Sequence, residues 1–329
     1  MRAQVTVVVP NFNHASVIGV ALGSILDQVS SKDEVIIIDD GSKDDSLDQI
    51  TKILSNNTAN ARVIRHETNQ GVIATLNEGL RLATKDYICF PGSDDIVLPT
   101  AFKQALELLA ENPDAAFCSG RSDTIRMDGS GRKIFPTRNV LKVPGYLSPA
   151  DVRHQLMQDD TWIIALTFYR TKCLREIGGF QEELGAFADG FASRLLALRY
   201  GCCFIPEALN LCRQDENSIS ALASTDTKRI EAIAETATRL MRGTYKNDFP
   251  RDYAKIWHRR WLFGARFRAM SARHRAYWNE RFGLYSGRSI VTAAARGLVE
   301  GYLFLAGLVM FLRYRHGDSV AVIRRRLEI

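Results

Sequence analysis

Along the first hundred residues the apolar positions change period in a regular way. Short β-branched runs alternate with stretches in which apolar residues recur at helical spacing. Val5–Pro10 is a nearly continuous apolar run, as expected of a strand buried on both faces. Val17, Val20, Ala21, Ser24, Ile25 and Gln28 then follow a helical period, predicting a helix near Ser16–Gln28. Glu34–Asp39 reads as a second strand and Asp40-Gly41-Ser42 as a turn. A helix follows from near Asp45, with Ser42 or Asp44 as its N-cap. Arg62–His66 predicts a third strand, Asn69-Gln70-Gly71 a turn and Val72–Thr84 a helix. Tyr87–Pro91 predicts a fourth strand, and Pro99–Asn112 a further helix. This alternation predicts an α/β domain with right-handed crossovers and a mainly parallel sheet flanked by helices.

Beyond residue 112 the signal is less regular. Ala115–Ser119 reads as a strand, while Arg121–Leu147 is polar and rich in Gly and Pro, predicting a loop or hairpin that could order over a ligand. Trp162–Arg170 is strand-like, Ile177-Gly178-Gly179-Phe180 forms a turn, Ala188–Tyr200 is helical and Cys202–Ile205 is a short strand. From Ser224 onward the pattern is helical only. Two regions are therefore expected, 1–220 and 221–329, the second an all-helical extension.

Charge sharpens that division. Residues 221–329 hold 21 Lys and Arg against 9 Asp and Glu, a net +12, whereas residues 1–220 hold 22 against 28, a net −6. The six cysteines lack zinc-site spacing and read as reduced, mostly buried thiols of a cytoplasmic protein. Arg2 leads directly into a strand rather than into the apolar core of a signal peptide, which agrees with that expectation. The six histidines are scattered, form no ligand pair and read as surface or capping residues.

The chemistry gathers where strands end. The first three strong strands end in Pro10-Asn11-Phe12-Asn13, Asp39-Asp40-Gly41-Ser42 and Gly92-Ser93-Asp94-Asp95. In an open α/β sheet, ligands bind outside the carboxyl ends of the strands, so three polar ends describe one site. Neighbouring carboxylates such as Asp94 and Asp95 repel unless a cation neutralises them. Oxygen ligands without a nearby His or Cys favour Mg2+ or Mn2+ over zinc, with substrate phosphates completing the shell. No P-loop, dinucleotide fingerprint or serine-hydrolase elbow occurs at a strand-to-helix turn. Such a site suits direct displacement at a phosphate-activated centre.

These residues, in this order, resemble the family 2 glycosyltransferases. The matching text is Val7-Val8-Val9-Pro10-Asn11-Phe12-Asn13, Ile38-Asp39-Asp40-Gly41-Ser42, Asn69-Gln70-Gly71 and Gly92-Ser93-Asp94-Asp95-Ile96. Farther on, Gly178-Gly179-Phe180, Asp189 and Arg213 with Asn217-Ser218-Ile219-Ser220 also fit. The resemblance covers roughly residues 4 to 220. It implies a GT-A (Rossmann-like) fold and an inverting enzyme that uses a nucleotide-diphospho-sugar donor and a carbohydrate or lipid-linked acceptor.

Carried across position by position, the resemblance places Pro10, Phe12 and Asn13 in a nucleotide pocket with Ser93. Asp40, with Asp39, would accept hydrogen bonds from the base or ribose, and Asn69 and Gly71 would shape the wall. Asp94, the last residue of the family's D-x-D motif, would bind the metal, with Asp95 behind it or toward the acceptor. Asp189 falls at the general base. Asp215, standing where relatives often have a His, would reach the metal or diphosphate region, and Arg213 near it would lie behind the site or toward the acceptor. Gly92 replaces the first Asp of D-x-D, and Ala188 replaces a Glu that usually precedes the base. These departures leave a catalytically inactive nucleotide-sugar-binding scaffold as the alternative. Trp162 is read either as a stacking platform for an acceptor sugar or as core.

The basic segment from 250 to 329 carries Trp257, Trp261, Phe263, Phe267 and Trp278 among arginines. Gly297–Leu312 is apolar apart from Glu300 but shorter than a membrane span, which needs about 20 residues. It predicts a helix on the inner face of the cytoplasmic membrane or a contact with another subunit, a homo-oligomer included. No nucleic-acid-binding module is present, so no nucleic-acid partner is expected.

Overall fold

The computed structural model describes residues 3–55, 57, 59–134, 140–158, 166–214, 226–282, 298–303 and 305. The chain divides into two compact units, Met1–Asp215 and Glu216–Ile329.

The first unit opens with β1 (Val5–Asn11), α1 (Ile18–Leu26), β2 (Glu34–Asp39), α2 (Ser46–Ser55), β3 (Ala61–Arg65), α3 (Val72–Leu82) and β4 (Tyr87–Cys89). It continues through β5 (Ile96–Val97), α4 (Ala101–Glu111), β6 (Phe117–Arg126), β7 (Lys133–Ile134), β8 (Gly145–Leu147), α5 (Pro149–Gln158) and β9 (Phe168–Arg170). Then come α6 (Thr171–Glu176), a 3-10 turn at Glu182–Phe187, α7 (Ala188–Tyr200) and β10 (Cys202–Gln214). The strands form a mixed sheet in the order β3-β2-β1-β4-β9-β6-β10-β5, with β7 paired to β6 and β8 to β10.

The block β3-β2-β1-β4 is parallel, and the apolar runs explain its central position. Every residue of β2 is buried, as are Val5 to Val9 of β1, because helices cover both faces of a parallel sheet. Val7, Val9, Ile37, Ile18, Leu22, Phe102, Leu106 and Phe168 share one core cluster. The register sets Asn11 beside Asp39. The polar ends of β1 and β2 therefore leave the core together. From β9 onward directions mix: β9 runs antiparallel to β4 and β6, whereas β10 runs parallel to β6.

Several expectations are refined. The predicted short strand at Cys202–Ile205 runs on to Gln214, because it follows β6 through two register shifts near Ala208. The expected loop or hairpin after Arg121 begins as a hairpin: β6 reaches Arg126 and turns back into β7, which pairs Asp123 with Ile134. The helix α5 within the following stretch escaped the sequence pattern; it buries only Val152 and Leu156.

In the second unit the described segments are helical: α8 (Thr227–Arg242), α9 (Tyr253–Phe282) and a turn at residues 298–303. Asp226 caps α8 by accepting the N–H groups of Lys228 (3.0 Å) and Arg229 (3.1 Å). Trp257 stacks on Trp261 with ring centres 5.2 Å apart. Trp257 is 1% exposed, so it does not offer the membrane anchor suggested by its aromatic character. Among the described residues, no helix is long and apolar enough to cross a membrane.

Candidate functional site

The parallel register puts the ends of β2, β1 and β4 side by side, and side-chain bonds knit the three together. Asp39 accepts from Asn11 Nδ2 (2.8 Å) and from the Ser42 N–H (3.0 Å). Ser42 Oγ accepts the N–H of Asn13 (2.9 Å), while Asn13 Oδ1 accepts the Lys43 N–H (2.8 Å). Asn13 sits at φ +56°, a left-handed conformation that Asn tolerates better than most residues. The third strand joins through His14, whose Nδ1 lies 2.7 Å from Ser93 Oγ. Pro10 is partly exposed, and the Phe12 ring, 41% exposed, stands free beside this lattice.

Asp40 occupies the opposite wall. Its Oδ1 accepts the Gln70 N–H (2.8 Å), its Oδ2 accepts the Gly71 N–H (2.9 Å), and Oδ1 lies 2.7 Å from His66 Nδ1. Gly71, at φ +94°, precedes the first turn of α3. Gly41 makes this approach possible: a Cβ there would sit 2.8 Å from the Thr68 carbonyl carbon and 2.9 Å from the Asn69 nitrogen. At φ +77° it also occupies a region that side chains disfavour. Asp39 and Asp40 are thus committed to internal bonds that shape the wall, and Asn69 remains exposed on its rim.

The third group of carboxylates is held differently. Asp95 accepts from Asn210 Nδ2 (3.1 Å), from the Cys212 thiol (3.4 Å) and weakly from the Arg213 N–H (3.3 Å). Burial, followed by the Asp94 charge, pushes its carboxyl up to about 6. Asp94 is partly exposed, and its Oδ1 would lie 2.8 Å from a Cβ added at Gly92. The missing first carboxylate of the motif therefore leaves room for Asp94 to fold back. Two adjacent carboxylates, one destabilised by the other's charge, fit a hard divalent cation completed by water and phosphate oxygens. Among the described residues, no cluster of three or more His, Cys, Asp or Glu is present that could hold a metal alone.

Asp189 lies in the first turn of α7, where a carboxylate is favoured by the helix dipole. Its side chain reaches solvent. Desolvation by the surrounding protein still lifts its carboxyl above the ordinary range, against the Gly190 N–H and the Arg194 charge. Arg194 is held by the Gly190 carbonyl (2.9 Å) and lies over the Phe187 ring. Burial, then the Asp189 charge, raises the Tyr169 hydroxyl, which places Tyr169 near the carboxylate. The Tyr169 ring packs against Phe90 (6.3 Å) and Phe180 (6.1 Å), and Phe90 leads directly into Gly92–Asp95. Asn77 of α3 fixes the adjoining turn by bonding both the N–H (2.9 Å) and the carbonyl (2.8 Å) of Phe180.

Arg213 does not extend freely toward the site: its Nη1 donates to the Met127 carbonyl (2.7 Å), and its backbone contacts Asp95. Trp162, Asp215 and the stretch Asn217–Ser220 lie outside the described residues. Sequence reasoning missed Asn11, His14, His66, Glu78, Asn210 and Cys212. Reading the histidines as surface or capping groups fails for His14 and His66, which bond within the site. Their signal was positional: His66 directly follows β3 and His14 lies three residues past β1, each next to the polar end of a neighbouring strand.

Residues 6–164 match Glycosyl transferase family 2. The chain is 28% identical over 205 residues to the uncharacterized glycosyltransferase YibD of Escherichia coli, covering 60% of this chain and 58% of that protein. The chain thus spans little more than half the length of this curated relative. The fold matches S. aureus TarS 1-349 in complex with UDP-GlcNAc, with TM-score 0.57 and 19% identity, covering 92% of this chain and 81% of that one. It also matches the mannosyltransferase PcManGT of Pyrobaculum calidifontis in complex with GDP-Man and Mn2+, with TM-score 0.54 and 18% identity, covering 99% and 86%. The mixed sheet flanked by helices is a GT-A fold, and residues 6–164, just under half of the chain, are similar to Glycosyl transferase family 2.

Proposed function

We propose that this protein moves a sugar from a nucleotide-diphospho-sugar to an acceptor hydroxyl in one inverting displacement, during assembly of a cell-surface polysaccharide or glycolipid. The observation that carries this reading is the junction of three strand ends at one sheet edge, with Asp94 and Asp95 at its third strand. The solved neighbours hold UDP-GlcNAc in one case and GDP-Man with Mn2+ in the other. A nucleoside would sit against Pro10, Phe12, Asn13 and the Asn69–Gly71 turn, with Asp39 and Asp40 shaping that wall and Ser93 at its edge. Asp94, backed by Asp95, would hold Mg2+ or Mn2+. When bound, that cation supplies positive charge to a diphosphate leaving group.

Asp189 would take the proton of the acceptor hydroxyl as its oxygen bonds to the anomeric carbon and the carbon–phosphate oxygen bond breaks. Its raised affinity for protons suits that task at neutral pH better than an ordinary Asp. Residues 1–220 would form the catalytic region. Residues 221–329 would provide a basic helical surface for a lipid-linked acceptor or for self-association at the cytoplasmic face of the membrane. Leu298, Tyr302 and Leu305, exposed on one helical face, support the surface role.

The test is transfer or hydrolysis from a panel of UDP-, GDP- and dTDP-sugars, with and without Mn2+. Cation-dependent release of a nucleoside diphosphate from one donor class is expected. Nucleotide binding without turnover against any acceptor would instead establish the scaffold reading.

A further inference from the structure

His66 is buried, at 7% exposure, just past the end of β3, and both of its ring nitrogens face carboxylate oxygens. Nδ1 lies 2.7 Å from Asp40 Oδ1, and Nε2 lies 2.7 Å from Glu78 Oε2 on α3. A neutral imidazole has one N–H, so it can satisfy only one of two acceptors. Two short contacts to carboxylates therefore describe an imidazolium clamped between two anions. The His66 backbone N–H also donates to the Asp39 carbonyl (2.8 Å), fixing the ring at the end of β2. The remaining bonds of Asp40 hold the Gln70 and Gly71 N–H groups, so clamp and turn share one carboxylate.

We propose that His66, as its imidazolium, is a positioning residue for the nucleoside wall: it ties Asp40 to Glu78 and thereby couples donor affinity to pH. This rests on the reading that a nucleoside sits against the Asn69–Gly71 turn. Asp40, just past β2, and Glu78 from α3 are the charged groups facing the ring. Burial works against the charged ring, but the two hydrogen bonds and the two carboxylate charges outweigh it and hold His66 above its ordinary value of 6.5. The sign follows from that direction. Below 6.5 the clamp is intact, and as pH rises through the raised value the ring loses its second proton. One carboxylate is then left without its donor, and the turn that Asp40 holds loosens.

The experiment uses the full-length protein. Calorimetric titration with UDP and GDP, each with Mn2+, is run between about pH 6 and 9, where such a histidine changes charge. Wild-type affinity should fall about tenfold across that window, the equivalent of about 1.4 kcal/mol. His66→Gln should bind about tenfold more weakly at the acid end and show no slope. Glu78→Gln removes one anion, so it should keep acid-end affinity while its decline moves to lower pH. That variant keeps the question answerable if His66→Gln melts. Ring 15N shifts of the nucleotide-free protein should show both nitrogens mainly protonated at pH 6.5, with one proton leaving at higher pH. A neutral ring at pH 6.5, or His66→Gln with wild-type affinity and slope, overturns the inference alone. Absence of nucleoside diphosphate binding by the wild type at every pH overturns the functional reading and the inference with it.

Discussion

The two acidic ends of this sheet look alike in sequence and behave oppositely in structure. At the end of β2, Asp39 and Asp40 accept backbone and side-chain hydrogen bonds from Asn11, Ser42, Gln70, Gly71 and His66. Their charge is satisfied from within, and they act as braces. Past β4 and at α7, Asp95 and Asp189 sit where the charged form is disfavoured, one by burial and the Asp94 charge, the other chiefly by desolvation. The surroundings of those carboxylates work against their charge. A pair of acidic residues at a strand end thus says little about its role until its donors are weighed against burial and neighbouring charge.

The largest effect that would break this contrast is at Asp189. Asp189→Asn preserves the shape but cannot accept the acceptor proton, so kcat should fall about 100- to 10,000-fold with donor binding largely retained. In the wild type, activity should fall on the acid side as Asp189 is protonated. Because its carboxyl is raised, that limb should lie above 3.8, the ordinary value for Asp. A pH–rate profile with no acid limb above that value would remove Asp189 from the reaction.

Asp40 should respond in the other currency, stability rather than chemistry. Asp40→Ala strands the Gln70 and Gly71 N–H groups and leaves a buried His66 beside Glu78 alone. Loss of one partner from such a buried pair costs about 3–5 kcal/mol, readable in urea unfolding. Were Asp40→Ala to unfold at the wild-type midpoint yet lose nucleotide binding, Asp40 would be a ligand contact rather than a brace.

These distinctions explain what the sequence could and could not reveal. The alternation from Val5 to Glu111 was legible because parallel central strands are apolar throughout and their helices carry clear periods. The helix at Ala188–Tyr200 matched its predicted span, bounded by Phe187 and by Gly201 at φ +74°. The long β10 was obscured because it changes register beside β6 and is apolar only over its first half. The sequence also brought the right strand ends together but could not apportion their carboxylates. Which Asp meets the Gln70 and Gly71 N–H groups depends on where that turn lands, and that is settled by tertiary approach at Gly41. His66 stayed hidden because a single histidine carries no spacing signal, and Glu78 reaches it only across α3.

The smallest effects sharpen the same comparison by setting one glycine against another. At Gly41 the added methyl of Gly41→Ala would meet backbone at 2.8 Å in a left-handed conformation. Neither obstacle can move cheaply, so a loss of about 1–3 kcal/mol is expected. Gly23 lies inside α1, and a Cβ there meets nothing within 4 Å. Gly23→Ala should therefore stabilise by about 0.5–1 kcal/mol, because alanine has less conformational freedom to lose on entering a helix. Paired thermal melts read both signs against one wild type. Opposite shifts would show that the wall beside Asp40 is built by close backbone approach. A harmless Gly41→Ala would mean that the turn at Thr68–Asn69 gives way, and that the bonds to Asp40 alone hold it in place.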